Sequence, residues 1–537
     1  MLNDKFVEKF WFKKLLAIFA GACMTLSYAP FNYWPMSFFC FAIIIWLVKP
    51  TDENTTVKKS AQLGFYFGLG WFGVGISWVH VAIADFGGLP LIISLLLMLI
   101  LCAYLALYPA LAFALSCKLY QYKRPSSSRS KYCLLHWFSY FSICFILMET
   151  LRGIVLTGFP WLSLGYILTD SPLNFLSPII GEFGLSFVVL ILSFAGYLLF
   201  QTKQVWFLLA SLSILFITLL ISPYLSNTQH QDKQVKVLLV QGNIEQQLKW
   251  NPDHAWSIMQ KYQDLTRKNW DVDLVVWPEA AISKVEYLAG DFLTQLDSTA
   301  AFNNTALITG IVDYQFDTKT IYNNLIVVGK RNSDSKQGHY HYLHDNRYTK
   351  HKLLPIGEFV PFEDILRPLA PLFNLAMSSF SEGEAIQKNL VANGLNILPA
   401  NCFEIVFSHF LRQNYQTNSD LLLTVSNDAW FGDSHGPHQH MQIARMRSQE
   451  LRLPLLRVTN NGITAVYDPI DDIQQSTPQF ETNVLKTQVK TISGDTFYSQ
   501  HGDKPMRFLL LLIFLCAVLA TCKQIKTNQT LNLAQTK

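Results

Sequence analysis

The stretch GLPLIISLLLMLILCAYLALYPALAFALS, at residues 88–116, contains no charged side chain anywhere along its length. A bilayer hydrocarbon core about 30 Å thick requires about 20 apolar residues in a helix, so this stretch predicts a transmembrane helix. Similar apolar runs fill residues 12–222, are absent from about 232 to 505, and return once at 507–522. The sequence therefore predicts a multi-pass α-helical membrane part that is interrupted by one large polar insertion.

Apolar runs of this kind predict about eight spans. They lie near residues 13–29, 31–48, 61–82, 88–116, 134–156, 173–200, 205–222 and 507–522. Lys13 and Lys14 precede the first run as they would in a signal peptide, but a cut after Ala29 would leave Pro30 as the next residue. We therefore expect the first run to be a retained anchor.

The short loops predict the orientation of the chain. Lys and Arg occur at the N-terminus and in alternate loops, whereas the loops near 83–87 and 157–172 contain neither. Basic loops stay on the cytoplasmic side, so both termini are predicted to be cytoplasmic and the polar insertion to lie outside. The predicted domains are a membrane domain at 1–231 with about seven helices, an outer domain at 232–505, and a last helix with its tail at 506–537.

Composition supports this division. Hydrophobic residues make up 50% of the 537 residues and charged residues only 15%, against roughly 25% charged in soluble proteins. This excludes an ordinary soluble protein. The net charge of +4 is small and dispersed, so no nucleic-acid partner is predicted.

The outer domain alternates short β-branched or leucine-rich runs with helical patterns, which predicts an α/β sandwich. The predicted strands are Val235–Val240, Leu274–Trp277, Ala306–Val312, Asn324–Val328, Leu421–Val425 and Leu455–Thr459. The predicted helices include His254–Asn269 and His440–Leu451. Runs of this length and composition are typical of strands buried on both faces.

Only one of the nine cysteines, Cys402, falls in the outer domain, and the others lie in or beside predicted spans. A lone cysteine there cannot form an internal disulfide, so it is either buried and inert or chemically useful. The chain has no CxxC pair or zinc-type spacing.

Three polar residues form the candidate site: Glu279 in LVVWPEAAI (274–282), Lys350 in YTKHKLLPIGEFVPFE (348–363) and Cys402 in NILPANCFEIVFSHFLRQ (396–413). A carboxylate can accept a thiol proton, and an ammonium can stabilise a thiolate and then an oxyanion. A helix beginning just after Cys402 would also favour the thiolate. Each residue alone has a purely structural interpretation, and spacing does not decide between the two.

Longer motifs carry a resemblance. WPEA at Glu279, YxKxxLxPxGE at 348–358 and the Cys402 element resemble the Glu–Lys–Cys set of the nitrilase superfamily. Further stretches resemble its membrane-bound branch, the apolipoprotein N-acyltransferase family: LVQGNIEQQLKW (239–250), SNDAWFGDSHGPHQHMQIARMRSQE (426–450), RVTNNGITAVYDP (457–469) and GFPWLSLGY (158–166). The resemblance covers nearly the whole chain, and it implies a nitrilase-like αββα sandwich for the outer domain.

The resemblance implies acyl transfer in two steps. Cys402 would take an acyl chain from a phospholipid, typically phosphatidylethanolamine, as a thioester, and the α-amino group of the diacylglyceryl-cysteine of an apolipoprotein would then accept it. Glu279 would be the general base, Lys350 the oxyanion stabiliser and Cys402 the nucleophile. The resemblance also implies a cell inner membrane protein with a periplasmic catalytic domain, and it implies no cofactor and no metal.

Four further residues match family positions, and a fifth candidate for substrate binding, Phe403, departs from the family pattern. Glu358 and Glu404 would support Lys350 and the loops around it, and Trp161 and Trp250 would contact lipid chains. Phe403 follows the nucleophile where tyrosine is more frequent, so a hydroxyl contact with the substrate would be missing there.

Several alternatives remain open at this level. A membrane-tethered amidase or nitrilase acting on a small soluble substrate would use the same three residues, and a transporter or scaffold would use none of them. Two histidine clusters, at 339–351 and 435–440, have HxH spacings that occur in metal sites. Glu149 and Arg152 are spaced to form an ion pair on one helix face, or Arg152 contacts lipid headgroups.

Overall fold

The structure is a computed structural model that describes residues 10–49, 55–122, 132–203, 205–355, 357–359 and 380–535. It divides into two compact units. One comprises residues 1–80, 90–222 and 501–537, and the other comprises 81–89 and 223–500.

Helices and strands are numbered here in chain order. The helices are α1 Phe10–Met24, α2 Pro35–Val48, α3 Val57–Gly75, α4 Leu91–Tyr122, α5 Tyr132–Arg152, α6 Ser177–Thr202, α7 Trp206–Leu225, α8 Pro252–Arg267, α9 Gly290–Phe302, α10 Ser408–Asn414, α11 Gly436–Leu451, α12 Phe497–His501 and α13 Lys504–Gln535. The strands are β1 Gln229–Gln241, β2 Leu274–Val276, β3 Ala306–Gln315, β4 Thr320–Gly329, β5 Arg347–Thr349, β6 Leu390–Ala392, β7 Leu395–Asn401, β8 Leu421–Ser426, β9 Leu455–Thr459, β10 Ala465–Asp468, β11 Ile473–Ser476 and β12 Asn483–Ser493.

The first unit is helical, and helices overlap all of the predicted span positions. In the described part of the chain, 5 helices are long and apolar enough to cross a membrane. The number becomes 6 if α3 and the short helix after it, which meet at 62°, form one bent span. Helix α2 is apolar but has only 14 residues. The multi-pass architecture is therefore confirmed, and the number of spans is approximate.

Helices α1 and α3 pack closely because each presents a glycine to the other. A Cβ atom on Gly21 would overlap the carbonyl oxygen of Phe67, and one on Gly70 would overlap that of Ile18. Helix association in lipid relies on such small residues, since apolar side chains gain nothing by leaving one apolar phase for another.

The second unit contains two six-stranded sheets, ordered β12-β1-β2-β3-β4-β5 and β11-β10-β9-β8-β7-β6. One apolar cluster fills the space between the sheets, with members such as Val237, Ile308, Ile397 and Leu423. A second cluster lies between the first sheet and helices α8 and α9, and α11 contacts β9 and β10 of the second sheet. The predicted αββα sandwich is confirmed.

The predicted strands are confirmed in whole or in part, and several others, among them the 11-residue strand β12, were not predicted. Strands β1, β3, β4, β8 and β9 cover their predicted ranges. Strands β5, β6 and β11, of 3, 3 and 4 residues, were not predicted because so few residues show no usable periodicity.

Candidate active site

The three candidate residues lie where strands of the two sheets end. Glu279 follows β2, Lys350 follows β5, and Cys402 follows β7. Lys350 is central: its Nζ donates to Oε1 of Glu358 at 2.8 Å and lies 3.4 Å from Oε1 of Glu279. All three of these charged groups are largely buried, so their interaction is only weakly screened by water.

Asn323, in the middle of β4, connects the acidic residues to the cysteine turn. Its Nδ2 donates to Oε1 of Glu279 at 2.9 Å and to Oε1 of Glu358 at 3.0 Å. Its Oδ1 accepts a hydrogen bond of 3.0 Å from Nδ2 of Asn401, the residue before Cys402. The other oxygen of Glu279, Oε2, accepts from the backbone N–H of Asn427 at 3.1 Å. Hydrogen bonds to both carboxylate oxygens therefore hold the Glu279 side chain in place.

Cys402 occupies a sharp turn at the end of β7. Its φ angle of 55° lies in the left-handed region, which side-chain-bearing residues rarely adopt. The Sγ atom lies 3.3 Å from the Ser426 hydroxyl, and the residue is partly exposed. A thiol held in this way remains reachable, while the surroundings determine its backbone conformation.

Electrostatics set the resting protonation states. Burial and the negative charge of Glu279 raise the pKa of the Cys402 thiol to about 12, and Lys350 opposes this only in part. Burial would raise the pKa of Glu279, but Lys350 and Lys249 outweigh it and lower that pKa. Burial lowers the pKa of Lys350, but Glu358 and Glu279 more than compensate and raise it. The resting site therefore holds a thiol, a carboxylate and an ammonium.

The expectation of a helix-stabilised thiolate is wrong. The segment that begins at Cys402 is a five-residue 3₁₀ turn, Cys402–Val406, and the α-helix α10 begins only afterwards. A short turn carries a small dipole, and burial beside Glu279 has the larger effect on the thiol. Activation of this thiol therefore requires a base.

Glu358 and Glu404 have different surroundings. Glu358 contacts Lys350 directly and also accepts the backbone N–H of Leu354 at 2.8 Å. Glu404 is fully buried and accepts four hydrogen bonds, from the backbone N–H groups of His351, Lys352 and Asn401 and from the Tyr348 hydroxyl. Glu404 thus ties the Lys350 segment to the Cys402 turn.

The three predicted substrate-binding residues have different surroundings within their own units. Trp250 is 37% exposed, and Phe403 is buried and packs edge-on against Phe407. Trp161 belongs to the helical unit, where it is buried against Trp78 and Phe159. Only Trp250 presents a substantial exposed surface.

Sequence reasoning missed several polar residues around Cys402 and Glu279: Lys249, Asn323, Asn401, Ser426 and Asn427. Lys249 is buried beside Trp250 and donates from Nζ to the Glu279 carbonyl at 2.9 Å. Burial lowers its pKa to about 8. Its position inside the LVQGNIEQQLKW motif was the available signal.

Arg152 and Glu149 lie together in the helical unit. Arg152 Nη2 lies 3.7 Å from Oε1 of Glu149, and Nη1 donates to the carbonyl of Phe159 at 2.9 Å and to that of Trp161. Oε1 of Glu149 accepts the Leu164 N–H at 2.8 Å. Arg152 is only 3% exposed, so the ion-pair interpretation describes it better than a headgroup contact.

The two histidine clusters have different surroundings in the part of the chain that the structure describes. His344 stacks edge-on against His339 and His341, and burial lowers its pKa to about 3. The described group with metal-ligand spacing is a different one, His230 with Asp468 and Asp471, and Asp471 is exposed. His440 is buried next to Asp428 and Arg457, and its Nε2 lies 3.3 Å from the carbonyl oxygen of Cys402.

Comparison with known proteins agrees with the fold and the motifs. Residues 20–195 match the model of the apolipoprotein N-acyltransferase N-terminal domain, and residues 236–493 match that of carbon-nitrogen hydrolase. Among solved structures, Saccharomyces cerevisiae Nit3, of branch 10 of the nitrilase superfamily, covers 48% of this chain and 90% of its own, with 16% identity and a TM-score of 0.35.

Similar proteins extend over nearly the full length. Apolipoprotein N-acyltransferase of Photobacterium profundum is 45% identical over 93% of this chain and 93% of its own. The protein of the same name from Vibrio parahaemolyticus is 45% identical over 94% and 96%, and that from Haemophilus influenzae is 38% identical over 96% of each chain. On this similarity, the chain belongs to the apolipoprotein N-acyltransferase family.

Proposed function

We propose that this protein transfers an acyl chain from a phospholipid, through a thioester at Cys402, to the α-amino group of the N-terminal diacylglyceryl-cysteine of apolipoproteins. The family supports the reaction class. The observation that carries the residue assignment is the position of Lys350 between Glu279 and Glu358, beside the turn that presents Cys402.

In the first step Glu279 accepts the Sγ proton as Cys402 attacks the ester carbonyl of the phospholipid. Negative charge develops on the carbonyl oxygen, where the Lys350 ammonium and backbone N–H groups stabilise it. The C–O bond then breaks, and Glu279 returns its proton to the departing lysophospholipid oxygen. The resting thiol and carboxylate match this order, because an acceptor is in place before the thiolate exists.

In the second step the α-amino group of the acceptor attacks the thioester carbonyl. Glu279 takes a proton from the attacking nitrogen, and the same oxyanion contacts stabilise the second tetrahedral intermediate. The C–S bond breaks, the amide product leaves, and the proton on Glu279 returns to Sγ. Glu358 holds the Lys350 ammonium throughout, and Glu404 holds the two backbone segments in register.

We place the protein in the cell inner membrane as a multi-pass protein, with a periplasmic catalytic domain and cytoplasmic termini. The alternation of basic and neutral loops supports this orientation. A second support is that residues 81–89, in a loop predicted to lie outside, belong to the same compact unit as residues 223–500. We assign Trp161, Trp250 and Phe403 to lipid contacts, with phosphatidylethanolamine as the donor.

The test is intact-mass spectrometry of the purified protein after incubation with phosphatidylethanolamine in detergent micelles. We expect an added acyl mass that hydroxylamine removes. Cys402→Ser should abolish it, and Cys516→Ser, at an exposed cysteine of α13, should leave it unchanged. Addition of a diacylglyceryl-cysteine peptide should then discharge the enzyme. Absence of the adduct, together with ammonia release from small amides, would instead indicate an amidase.

A further inference from the structure

Beneath the nucleophile lies a buried polar cluster with no part in the steps above. It consists of Asp428, His440 and Arg457, which are 1%, 1% and 0% exposed. His440 is carried by α11 and Arg457 by β9, and Asp428 follows β8. The cluster touches the nucleophile's own backbone: Nε2 of His440 lies 3.3 Å from the carbonyl oxygen of Cys402.

The hydrogen-bond partners fix which nitrogen of His440 carries hydrogen. A backbone carbonyl only accepts, so Nε2 must be the donor to Cys402. Nδ1 lies 3.0 Å from Nη2 of Arg457, which only donates, and 3.2 Å from Oδ1 of Asp428, which only accepts. The neutral Nε2–H tautomer satisfies the contacts with Cys402 and Arg457, whereas the Nδ1–H tautomer satisfies only the contact with Asp428. We therefore assign the neutral Nε2–H tautomer to His440. Burial and the charge of Arg457 both lower its pKa, in agreement with this assignment.

The carboxylate of Asp428 accepts hydrogen bonds from Arg457 and Ser426, so it has donors other than the imidazole. Its Oδ2 accepts from Arg457 Nη2 at 2.7 Å, and its Oδ1 accepts from the Ser426 hydroxyl at 2.6 Å. The two hydrogens on Nη2 thus serve Asp428 and His440 separately. The carboxylate in turn holds the guanidinium that sets the imidazole tautomer.

The contact with the Cys402 carbonyl also constrains the N–H of Phe403, which belongs to the same peptide group. A trans peptide is planar, and its C=O and N–H point in opposite directions. Fixing the carbonyl of Cys402 therefore fixes the direction of the Phe403 N–H. That N–H lies in the first turn of a helical segment, where backbone donors have no partner within the turn. The left-handed φ of Cys402 is a strained conformation. Without the contact from His440, the peptide could rotate as this strain is released.

We propose that Arg457, Asp428 and neutral His440 form a positioning network that holds the Cys402–Phe403 peptide, so that the Phe403 N–H is directed to the oxyanion formed at Cys402. The inference rests on the proposed role of Cys402 as nucleophile. His440 acts through the peptide and contacts no reacting atom.

Two reactions of Cys402 separate positioning from simple structural support. Acylation passes through an oxyanion, whereas alkylation by iodoacetamide does not. We expect His440→Leu to slow acylation by phosphatidylethanolamine about 100-fold, the loss typical of one oxyanion donor. Alkylation of Cys402, followed by peptide mass spectrometry, should change less than about threefold, since the thiol environment is kept.

A conservative variant and a matched control complete the design. Gln places an amide donor near the position of Nε2, so His440→Gln should recover at least a tenth of the wild-type acylation rate. His438→Leu, at a histidine on the same helix that faces Gln479, should behave like wild type in both reactions. Equal losses of acylation and alkylation in His440→Leu, or no recovery in His440→Gln, would overturn the network.

Acylation by p-nitrophenyl butyrate keeps the two proposals distinguishable. If wild type reacts with this ester and not with phosphatidylethanolamine, the proposed lipid donor is wrong, and the ratio of acylation to alkylation in His440→Leu still tests the network. If neither ester acylates Cys402 in folded wild-type protein, the network has no oxyanion to serve and the inference is wrong.

Discussion

The hydroxyl of Tyr348 donates a hydrogen bond of 2.7 Å to Oε2 of Glu404. Tyr348 lies in β5, two residues before Lys350, and Glu404 lies two residues after Cys402. This bond therefore joins the segment that carries Lys350 to the turn that carries Cys402. Both side chains are almost fully buried, so no water replaces the contact if it is lost.

Glu404→Gln should disturb the site more than Tyr348→Phe. The amide would point its NH₂ at hydrogen-bond donors and leave buried groups unpaired, at roughly 1–3 kcal/mol each. Tyr348→Phe removes one donor and leaves three backbone donors to Glu404. The measurement is the apparent melting temperature in detergent, together with the acylation rate. Glu245→Gln, on the surface, serves as the control, and equal effects of all three variants would contradict this account.

Lys350→Met should slow acyl-enzyme formation by about 10²–10³-fold, because it removes a donor to the oxyanion. It also leaves Glu279 and Glu358 buried without their shared cation. Lys350→Arg should not restore the rate, since a planar guanidinium does not replace a compact ammonium between two carboxylates. Rates come from time-resolved intact mass. Lys388→Met, at an exposed lysine, is the control, and wild-type rates in Lys350→Arg would exclude a specific role for the ammonium.

Alkylation of Cys402 by iodoacetamide should accelerate continuously with pH. The pKa of about 12 lies above the ordinary value, so the thiolate is a small fraction of the total at pH 7 and increases about tenfold per pH unit. We expect no plateau between pH 7 and pH 9.5, where an ordinary thiol with a pKa of about 8.5 would begin to level off. A plateau near neutral pH would mean that a thiolate already exists in the resting enzyme.

Asn323→Asp should move the acidic limb of the acylation profile to higher pH. The variant replaces a donor to Glu279 with a second negative charge, and like charge raises the pKa of a carboxyl by about one unit or more. Glu279 would then lose its charge, and so its capacity to act as base, at a higher pH than in wild type. Asn324→Asp, from the opposite face of β4, is the control and should leave the limb in place. An unshifted limb in Asn323→Asp would argue against Glu279 as the base.

Much of the architecture could be predicted from short-range pattern. The apolar run at 88–116 became part of α4, and the runs beginning at Leu274, Leu421 and Leu455 became buried strands. Membrane hydrocarbon and a two-sided sheet each require a fixed length of apolar chain, and that length is visible in the sequence. The positions of Glu279 and Cys402 after strands could be predicted for the same reason.

What the sequence by itself determined was therefore the periodic part of the protein: apolar helices, alternating strands and helices, and the positions of Glu279 and Cys402 after strands. Only the tertiary structure decided that Asn323 contacts both Glu279 and Glu358, that Glu404 bridges Tyr348 and Asn401, and that His440 lies below Cys402. Periodicity records which face of an element is buried, because burial repeats with the element. The partner of a single buried polar group is set by how distant elements pack, and no local pattern encodes it.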